Sequence, residues 1–237
     1  MPASKPASVK LENDCASLTI DPLGGAITAF CLKGNDINPL SFAFSNEQMP
    51  ANNMEGANYQ GHFVCIGRWG EPTQGEIKAG LPNHGEPANI LWTVTDKRTA
   101  GLQMQTMAAK EGLRVDRTII VDEHSAVYAV KEIVININPL GRLYNIVQHP
   151  TLAAPFLNEA TIINCNASRG FDQAFYKDIL SNVIEWPLAK DDLNNFIDLR
   201  NPRSSYNGVY SFVVKPVDKY GWITAFSPTH KLLCGYI

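Results

Sequence analysis

Four consecutive segments in the middle of the chain alternate apolar and polar residues, and this pattern constrains the fold more than any other feature. They are residues 90–96, 101–108, 113–121 and 126–136. Each is rich in Val, Ile, Thr or Tyr, and charged or glycine-bearing turns separate them. A period of two is that of a β-strand, and strands at a spacing of about ten residues are typical of antiparallel sheets. The segments therefore predict a four-stranded antiparallel meander.

One residue interrupts the alternation in segment 113–121. Leu113 and Val115 lie on the same predicted face as Arg117, so a charged side chain follows two apolar ones. Charged residues that point inward are frequent at the edges of sheets. We therefore predict that Arg117 lies at an edge or a rim of its sheet.

Further strand-like segments lie on both sides of the meander. Residues 16–20 and 26–32 flank a turn containing proline and glycine, which predicts a β-hairpin. Two more strands are predicted for residues 144–155 and 161–165, and a last hairpin for residues 211–216 with 221–227. One or two helical turns are predicted for residues 189–199. The predicted fold class is all-β, with two large antiparallel sheets packed face to face and little helix.

The length of the chain suits one domain. A sequence of 237 residues that is 45% hydrophobic can bury a sizeable core and falls within the size range of a single β-sandwich. We predict one domain over residues 1–237, with residues 1–10 as a flexible tail because Pro, Ser, Ala and Lys dominate them. The apolar segment 232–237 predicts either that the natural C-terminal end is missing or that this strand completes the sheet.

Charge and cysteine content argue against several kinds of partner. The net charge is −3 without a basic run, so neither nucleic acid nor a membrane surface is favoured, and a small neutral or weakly charged ligand fits better. GRWG and PLGG lack the glycine spacing of nucleotide or flavin motifs, so no cofactor is predicted, and the cysteine spacing predicts no metal site. Five scattered cysteines indicate a reducing compartment, here the cytoplasm, although removal of an export signal would leave the same sequence.

The segment 61–94 concentrates glycine, tryptophan and polar side chains. Its glycines and prolines prevent long regular helices or central strands. Long loops within a compact domain are usually functional or disordered, and aromatic residues are rare in disorder. We therefore predict an ordered loop with short strands, stabilised by its interleaved apolar residues Phe63, Ile66, Trp69, Leu81 and Trp92.

Three polar residues stand apart: Arg68 in GRWG, His84 in NHGE and His149 in QHP. Each has a structural interpretation beside a functional one. Arg68 can stack on Trp69, His84 can bond loop backbone, and His149 can bond a neighbour at the end of its strand. Pro150 holds His149 in extended backbone. Because surface loops carry function disproportionately, both interpretations stay open from spacing alone.

The order of these motifs resembles a known family. The chain resembles aldose 1-epimerases and hexose-6-phosphate epimerase-like proteins of the galactose mutarotase superfamily in the order of four motifs. These are G-x-x-x-C-x-G-R-W-G, L-P-N-H-G-E, an LWTV strand and a later strand that ends in histidine. The resemblance covers about residues 15–165, with His84 matching the first histidine and His149 the second. It implies a β-supersandwich whose concave sheet binds a small-molecule sugar or sugar phosphate.

The resemblance also implies roles for individual residues. A sugar ring opens when the anomeric hydroxyl loses a proton while the ring oxygen gains one. The implied catalytic residues are His149, which donates a proton to the ring oxygen, and His84, which orients the substrate. Histidine serves as an acid near neutral pH if a nearby carboxylate raises its pKa. The implied substrate-binding residues are Arg68, Trp69, Asn83 and Glu86.

Two departures from the family pattern leave the function open. Segment 204–212 lacks the sugar-binding aspartate of the active family, and the catalytic glutamate would lie beyond residue 237. Glu71, Glu76 and Glu86 are the local substitutes for a base, although loop glutamates are mostly solvated. The chain is either an aldose 1-epimerase-type enzyme, a non-catalytic carbohydrate-binding module, or an accessory domain of a polysaccharide-processing system that needs a partner chain. The sequence leaves the oligomeric state open.

Overall fold

Antiparallel strands dominate the structure, a computed structural model that describes residues 6–53, 56–191, 193–202 and 208–237. These strands confirm the predicted all-β class. The described residues contain one α-helix, α1 (Gln74–Lys78), and four 3₁₀ helices: Asn46–Gln48, Glu86–Ala88, Gln173–Phe175 and Leu180–Asn182. The chain divides into two units, Met1–Ala154 and Pro155–Ile237, and one domain over residues 1–237 stays a prediction.

The first unit contains two antiparallel sheets. Its strands are β1 (Val9–Glu12), β2 (Ala16–Asp21), β3 (Ala26–Leu32), β4 (His62–Ile66), β5 (Thr93–Lys97), β6 (Gly101–Ala108), β7 (Leu113–Val121), β8 (Tyr128–Asn136) and β9 (Ile146–Pro150). One sheet has the order β1-β2-β3-β4-β9 and the other the order β5-β6-β7-β8. The second sheet is the predicted meander, and β2 with β3 is the predicted hairpin. The predicted tail 1–10 lies partly outside the described residues, and its last two residues belong to β1.

The core of this unit lies between the two sheets. Apolar side chains from alternate positions of both sheets form one buried cluster, because the period of two places them on one face of each strand. The five-stranded sheet contributes Val9, Leu11, Leu18, Ile20, Ile27, Val64 and Ile66, and the four-stranded sheet contributes Leu102, Met104, Ala108, Leu113, Val115, Ile119 and Val121. The opposite face of β4 carries a second, smaller cluster that includes Phe63 and Cys65.

The prediction that Arg117 lies at an edge or rim is wrong. Arg117 is on β7, which pairs with β6 on one side and β8 on the other, and it is only 3% exposed. Its Nη2 lies 2.8 Å from Oε1 of Glu132, and its Nη1 donates to the carbonyl of Gly25 at 2.5 Å. The guanidinium also lies 4.6 Å from the centroid of the Trp92 ring. Partners on other elements therefore stabilise a charge inside the core.

The described residues of the second unit form three small antiparallel sheets. Its strands are β10 (Ile162–Cys165), β11 (Ala167–Asp172), β12 (Val183–Glu185), β13 (Leu188–Lys190), β14 (Phe196–Asp198), β15 (Tyr210–Val214), β16 (Ile223–Ser227) and β17 (Leu232–Tyr236). The sheet orders are β10-β16-β17, β12-β11-β15 and β13-β14. Segment 204–212, which lacks the sugar-binding aspartate of the family pattern, lies partly outside the described residues, at 204–207.

Two predictions for this unit are wrong. Segment 189–199 forms parts of the β13–β14 hairpin rather than helical turns, because the Asp191 carboxylate accepts from the backbone N–H groups of Leu193 and Asn195 and closes a turn. The predicted last hairpin does not form either. β15 pairs with β11, whereas β16 pairs with β10 and β17, since an alternating pattern predicts a strand without specifying its partner.

Candidate functional site

His149 lies on the face of the five-stranded sheet that points away from the main core. β4 and β9 pair in a register that sets His149 opposite Phe63 and Val147 opposite Cys65. Because residues directly opposite each other share a face, His149, Phe63 and Cys65 lie on the same side of the sheet. His62, which precedes Phe63 on β4, points to the other side, where its Nε2 lies 2.9 Å from Oε1 of Gln148.

Aromatic rings support the imidazole of His149. Its ring stacks on that of Phe63, with centroids 4.5 Å apart and planes inclined by 18°. Phe63 stacks in turn on Tyr59 at 5.2 Å. Nδ1 of His149 lies 3.2 Å from Oγ1 of Thr151. The orientation of the His149 ring is therefore set by the sheet, by a stacked ring and by a neighbouring hydroxyl.

His84 reaches the same place from a tight turn. Its backbone has a φ of 61°, in the left-handed region, and its N–H donates to the carbonyl of Gly70 at 3.1 Å. The turn is fixed by its neighbours: the Tyr59 hydroxyl donates to the carbonyl of Asn83 at 2.8 Å, and Nδ2 of Asn89 donates to the same carbonyl at 2.8 Å. Asn83 thus contributes its backbone to the turn that carries His84.

The proton on the His84 imidazole is placed by its contacts. The Gly70 N–H donates to Nδ1 at 3.3 Å, and Sγ of Cys65 lies 3.2 Å from the same nitrogen. A nitrogen that accepts a backbone N–H carries no proton of its own, so the neutral ring holds its proton on Nε2. Burial raises the pKa of the Cys65 thiol, which keeps that group a weak donor. His84 can therefore donate a hydrogen bond from Nε2.

The two histidines meet at one site. Their ring centroids are 5.4 Å apart and their planes are inclined by 73°. Burial, with the neighbouring His149 second, lowers the pKa of His84 to about 4, and burial also lowers the pKa of His149. Among the described residues of this unit, no carboxylate contributes to the pKa shift of either ring, so the condition of a pKa raised by a nearby carboxylate is not met here. Burial therefore favours the neutral form of both imidazoles.

Arg68 and Trp69 lie on the loop that contacts His84. Nε of Arg68 donates to the carbonyl of Glu71 at 2.8 Å, and its Nη1 lies 3.7 Å from Oε2 of Glu76. Trp69 is 37% exposed and immediately precedes Gly70, whose backbone bonds His84 at two atoms. The loop that carries Arg68 and Trp69 is therefore bonded to His84 through Gly70, and the Arg68 guanidinium is bonded within that loop.

The three local glutamates make different contacts. Glu86 is only 3% exposed, and its Oε2 accepts from the backbone N–H groups of Lys110 and Glu111 at 2.7 and 3.1 Å. Glu76 caps α1 through Thr73, and the backbone N–H of Thr73 holds the pKa of Glu76 below its usual range. Glu71 is exposed. The contacts of Glu86 are structural, and its substrate-binding role stays a prediction.

Several residues at this site were missed by sequence reasoning. Tyr59, Phe63, Cys65 and Asn89 orient the two imidazoles, and Glu111 lies behind the loops. For Phe63 and Cys65 the signal was their alternation with His62 and Val64, but only the register with β9 shows which face they share with His149. For the remaining three, the sequence carried no signal that we could interpret.

Comparison with solved structures identifies the architecture. The chain is similar to the galactose mutarotase related enzyme from Lactobacillus acidophilus, with a TM-score of 0.64 and 10% identity over 97% of this chain and 76% of that one. It is also similar to the GalM/aldose epimerase homologue from C. elegans (TM-score 0.61, 11% identity, 94% and 76% covered) and to a galactose mutarotase-like protein from Lactobacillus casei (0.51, 11%, 96% and 82%). At these identities the likeness concerns the fold alone.

Other comparisons add little. No protein-family model matches the sequence, and no curated protein does. Within the part of the chain that the structure describes, no helix has the length and apolar character needed to cross a membrane.

Proposed function

Because this chain has the galactose mutarotase-like β-sandwich fold, we propose that it binds a sugar or sugar phosphate and interconverts its anomers by acid–base ring opening. One observation carries the proposal: His149 on β9 and His84 on a turn are distant in sequence, yet their ring centroids lie 5.4 Å apart. A group held on a packed strand, as His149 is, keeps the geometry that proton transfer requires.

The proposed roles follow from the contacts of each ring. His149 in its protonated, imidazolium form donates a proton to the ring oxygen, because β9 and the stacked Phe63 orient its ring. His84 donates a hydrogen bond from Nε2 to a sugar hydroxyl. Trp69 offers an apolar face to the C–H groups of the sugar, and Arg68 anchors hydroxyl or phosphate oxygens once the sugar displaces its contact with Glu76.

A second candidate function, carbohydrate binding without catalysis, is favoured by a specific observation. In residues 6–53 and 56–154, no aspartate or glutamate forms an ion pair with either imidazole, and Glu86 is bonded to backbone. Ring opening needs a base for the anomeric hydroxyl as well as an acid for the ring oxygen. If no base reaches the sugar, the same pocket would bind it without opening the ring.

Polarimetry separates these functions. Freshly dissolved α-glucose, α-galactose and their 6-phosphates approach anomeric equilibrium slowly, and the protein is expected to accelerate this approach for at least one of them. The matched control is the double variant His84→Ala/His149→Ala, with its fold checked by circular dichroism. If calorimetry detects sugar binding but the approach to anomeric equilibrium is not accelerated, the second candidate function, carbohydrate binding without catalysis, is supported. Neither binding nor acceleration with any of these sugars would contradict the proposal.

We also propose a cytoplasmic location, because an odd number of cysteines without paired spacing suits a reducing compartment.

A further inference from the structure

A buried carboxyl group lies behind the loops that carry Arg68 and His84. Glu111, in the turn between β6 and β7, is 0% exposed. A Cβ added to Gly67 would lie 2.5 Å from its Cδ, and one added to Gly85 would lie 2.9 Å from its Oε1. Both glycines have positive φ, 88° and 78°. The carboxyl group therefore packs against two backbone corners, one directly before Arg68 and one directly after His84.

Reciprocal hydrogen bonds tie Glu111 to the loop of His84. The backbone N–H of Glu86 donates to Oε1 of Glu111 at 3.3 Å, and Oε2 of Glu86 accepts from the backbone N–H of Glu111 at 3.1 Å. Oε2 of Glu111 is buried and has no hydrogen-bond partner among the described residues. Arg142 does not supply one, since its Nη1 donates to the backbone carbonyl of Glu111 instead.

Burial and the neighbouring carboxylates favour the neutral form of the Glu111 side chain. Burial is the largest influence, and it raises the pKa of Glu111 to about 7, with the nearby Glu86 and Glu76 acting in the same direction. The Glu86 N–H and Arg142 oppose this shift. Ionising the carboxyl group would leave a buried charge on an oxygen without a donor, which is costly. Glu111 therefore changes charge near neutral pH.

We propose that Glu111 is a positioning residue of the candidate sugar site, where its uncharged carboxyl group supports the Gly67 and Gly85 corners and so holds Arg68 and His84 in place. On ionisation the carboxylate must gain a water molecule or move away from the glycines. Either change loosens the two corners, so sugar affinity should fall as the pH rises through 7. The sugar part of this inference rests on the proposed function, whereas its effects on stability and on His84 do not.

The first test compares wild type with Glu111→Gln, a neutral side chain of the same shape. Folding raises the pKa of Glu111 from 4.5 to about 7. The neutral carboxyl group therefore stabilises the folded state fully at pH values below 4.5, and this stabilisation is lost as the pH rises through 7. Relative to Glu111→Gln, the wild-type folding equilibrium constant should fall by up to about 100-fold between pH 5 and 8.5, measured by urea denaturation. Glu123→Gln, at an exposed glutamate in the β7–β8 turn, is the matched control and should follow the wild type.

The second test follows His84 directly in wild type and in Glu111→Gln. Its imidazole resonances in wild type should shift with a midpoint near pH 7, well above the pKa of about 4 of the ring itself, because they report the charge on Glu111. In Glu111→Gln this shift should vanish, and so should the loss of sugar affinity above pH 7. The same pH dependence in both proteins, or no shift of His84 in wild type, would overturn the proposal. If wild type binds no sugar, the proposed function fails while the first two readouts still decide the role of Glu111.

Discussion

Replacing His149 with alanine is expected to slow anomer interconversion by about 10²–10⁴-fold, the usual cost of removing a general acid. The variant keeps β9 and its pairing with β4, since the exchange removes only a half-buried ring. The effect should therefore appear in kcat, with a smaller change in KM. The measurement is initial-rate polarimetry on the sugar that wild type accelerates most.

Two further variants make this result specific. His84→Ala should raise KM more than it lowers kcat, because Nε2 of His84 positions a hydroxyl in our account. His124→Ala, at an exposed histidine in the β7–β8 turn, is the control and should leave both constants unchanged. Wild-type turnover in a folded His149→Ala protein would show that the assigned proton donor is wrong.

Replacing Arg117 with alanine is expected to lower the free energy of unfolding by about 3–5 kcal/mol, the range for removing one partner of a buried ion pair. The Glu132 side chain, 6% exposed, would keep its charge without this partner. The carbonyl of Gly25 would lose a donor, and the Trp92 ring would lose the guanidinium 4.6 Å from its centroid. Urea denaturation at pH 7 measures the change.

The same strand offers a matched control. Arg114 and Asp116 form an ion pair on β7 at 3.1 Å, with side chains 41% and 36% exposed. Arg114→Ala should cost at most about 1 kcal/mol, because exposed pairs are solvated and screened. The paired change Arg117→Met/Glu132→Leu should recover much of the loss, since it leaves no unpaired charge. A cost for Arg117→Ala similar to that for Arg114→Ala would contradict the buried-pair interpretation.

The sequence was most informative where structure depends on local pattern. The bounds of β6 and β7 agree with the predicted segments 101–108 and 113–121, because alternation with a period of two is visible along a single strand. Arg117 was misjudged for the same reason. Its charge is balanced by Glu132 on the next strand, and its guanidinium also bonds the carbonyl of Gly25 in the turn between β2 and β3. Single-strand patterns contain no information about such partners.

The candidate site was predictable only in part. The choice of His84 and His149 came from the resemblance of the motifs, and the structure places their ring centroids 5.4 Å apart. The structural contacts of Glu86 were not predictable for a different reason. A carboxylate beside a loop histidine suggests a ligand contact, but its two backbone donors come from residues 110 and 111, which reach it only through the packing of the β6–β7 turn.

The most direct test of the central claim is to titrate the sugar into the protein and follow all histidine imidazoles by ¹H–¹⁵N NMR. The account predicts that the His84 and His149 resonances shift together with one dissociation constant. His62, bonded to Gln148 on the opposite face of the sheet, and the exposed His124 should not follow them. Saturable sugar binding that leaves both His84 and His149 unmoved would contradict the claim that these two rings form the sugar site.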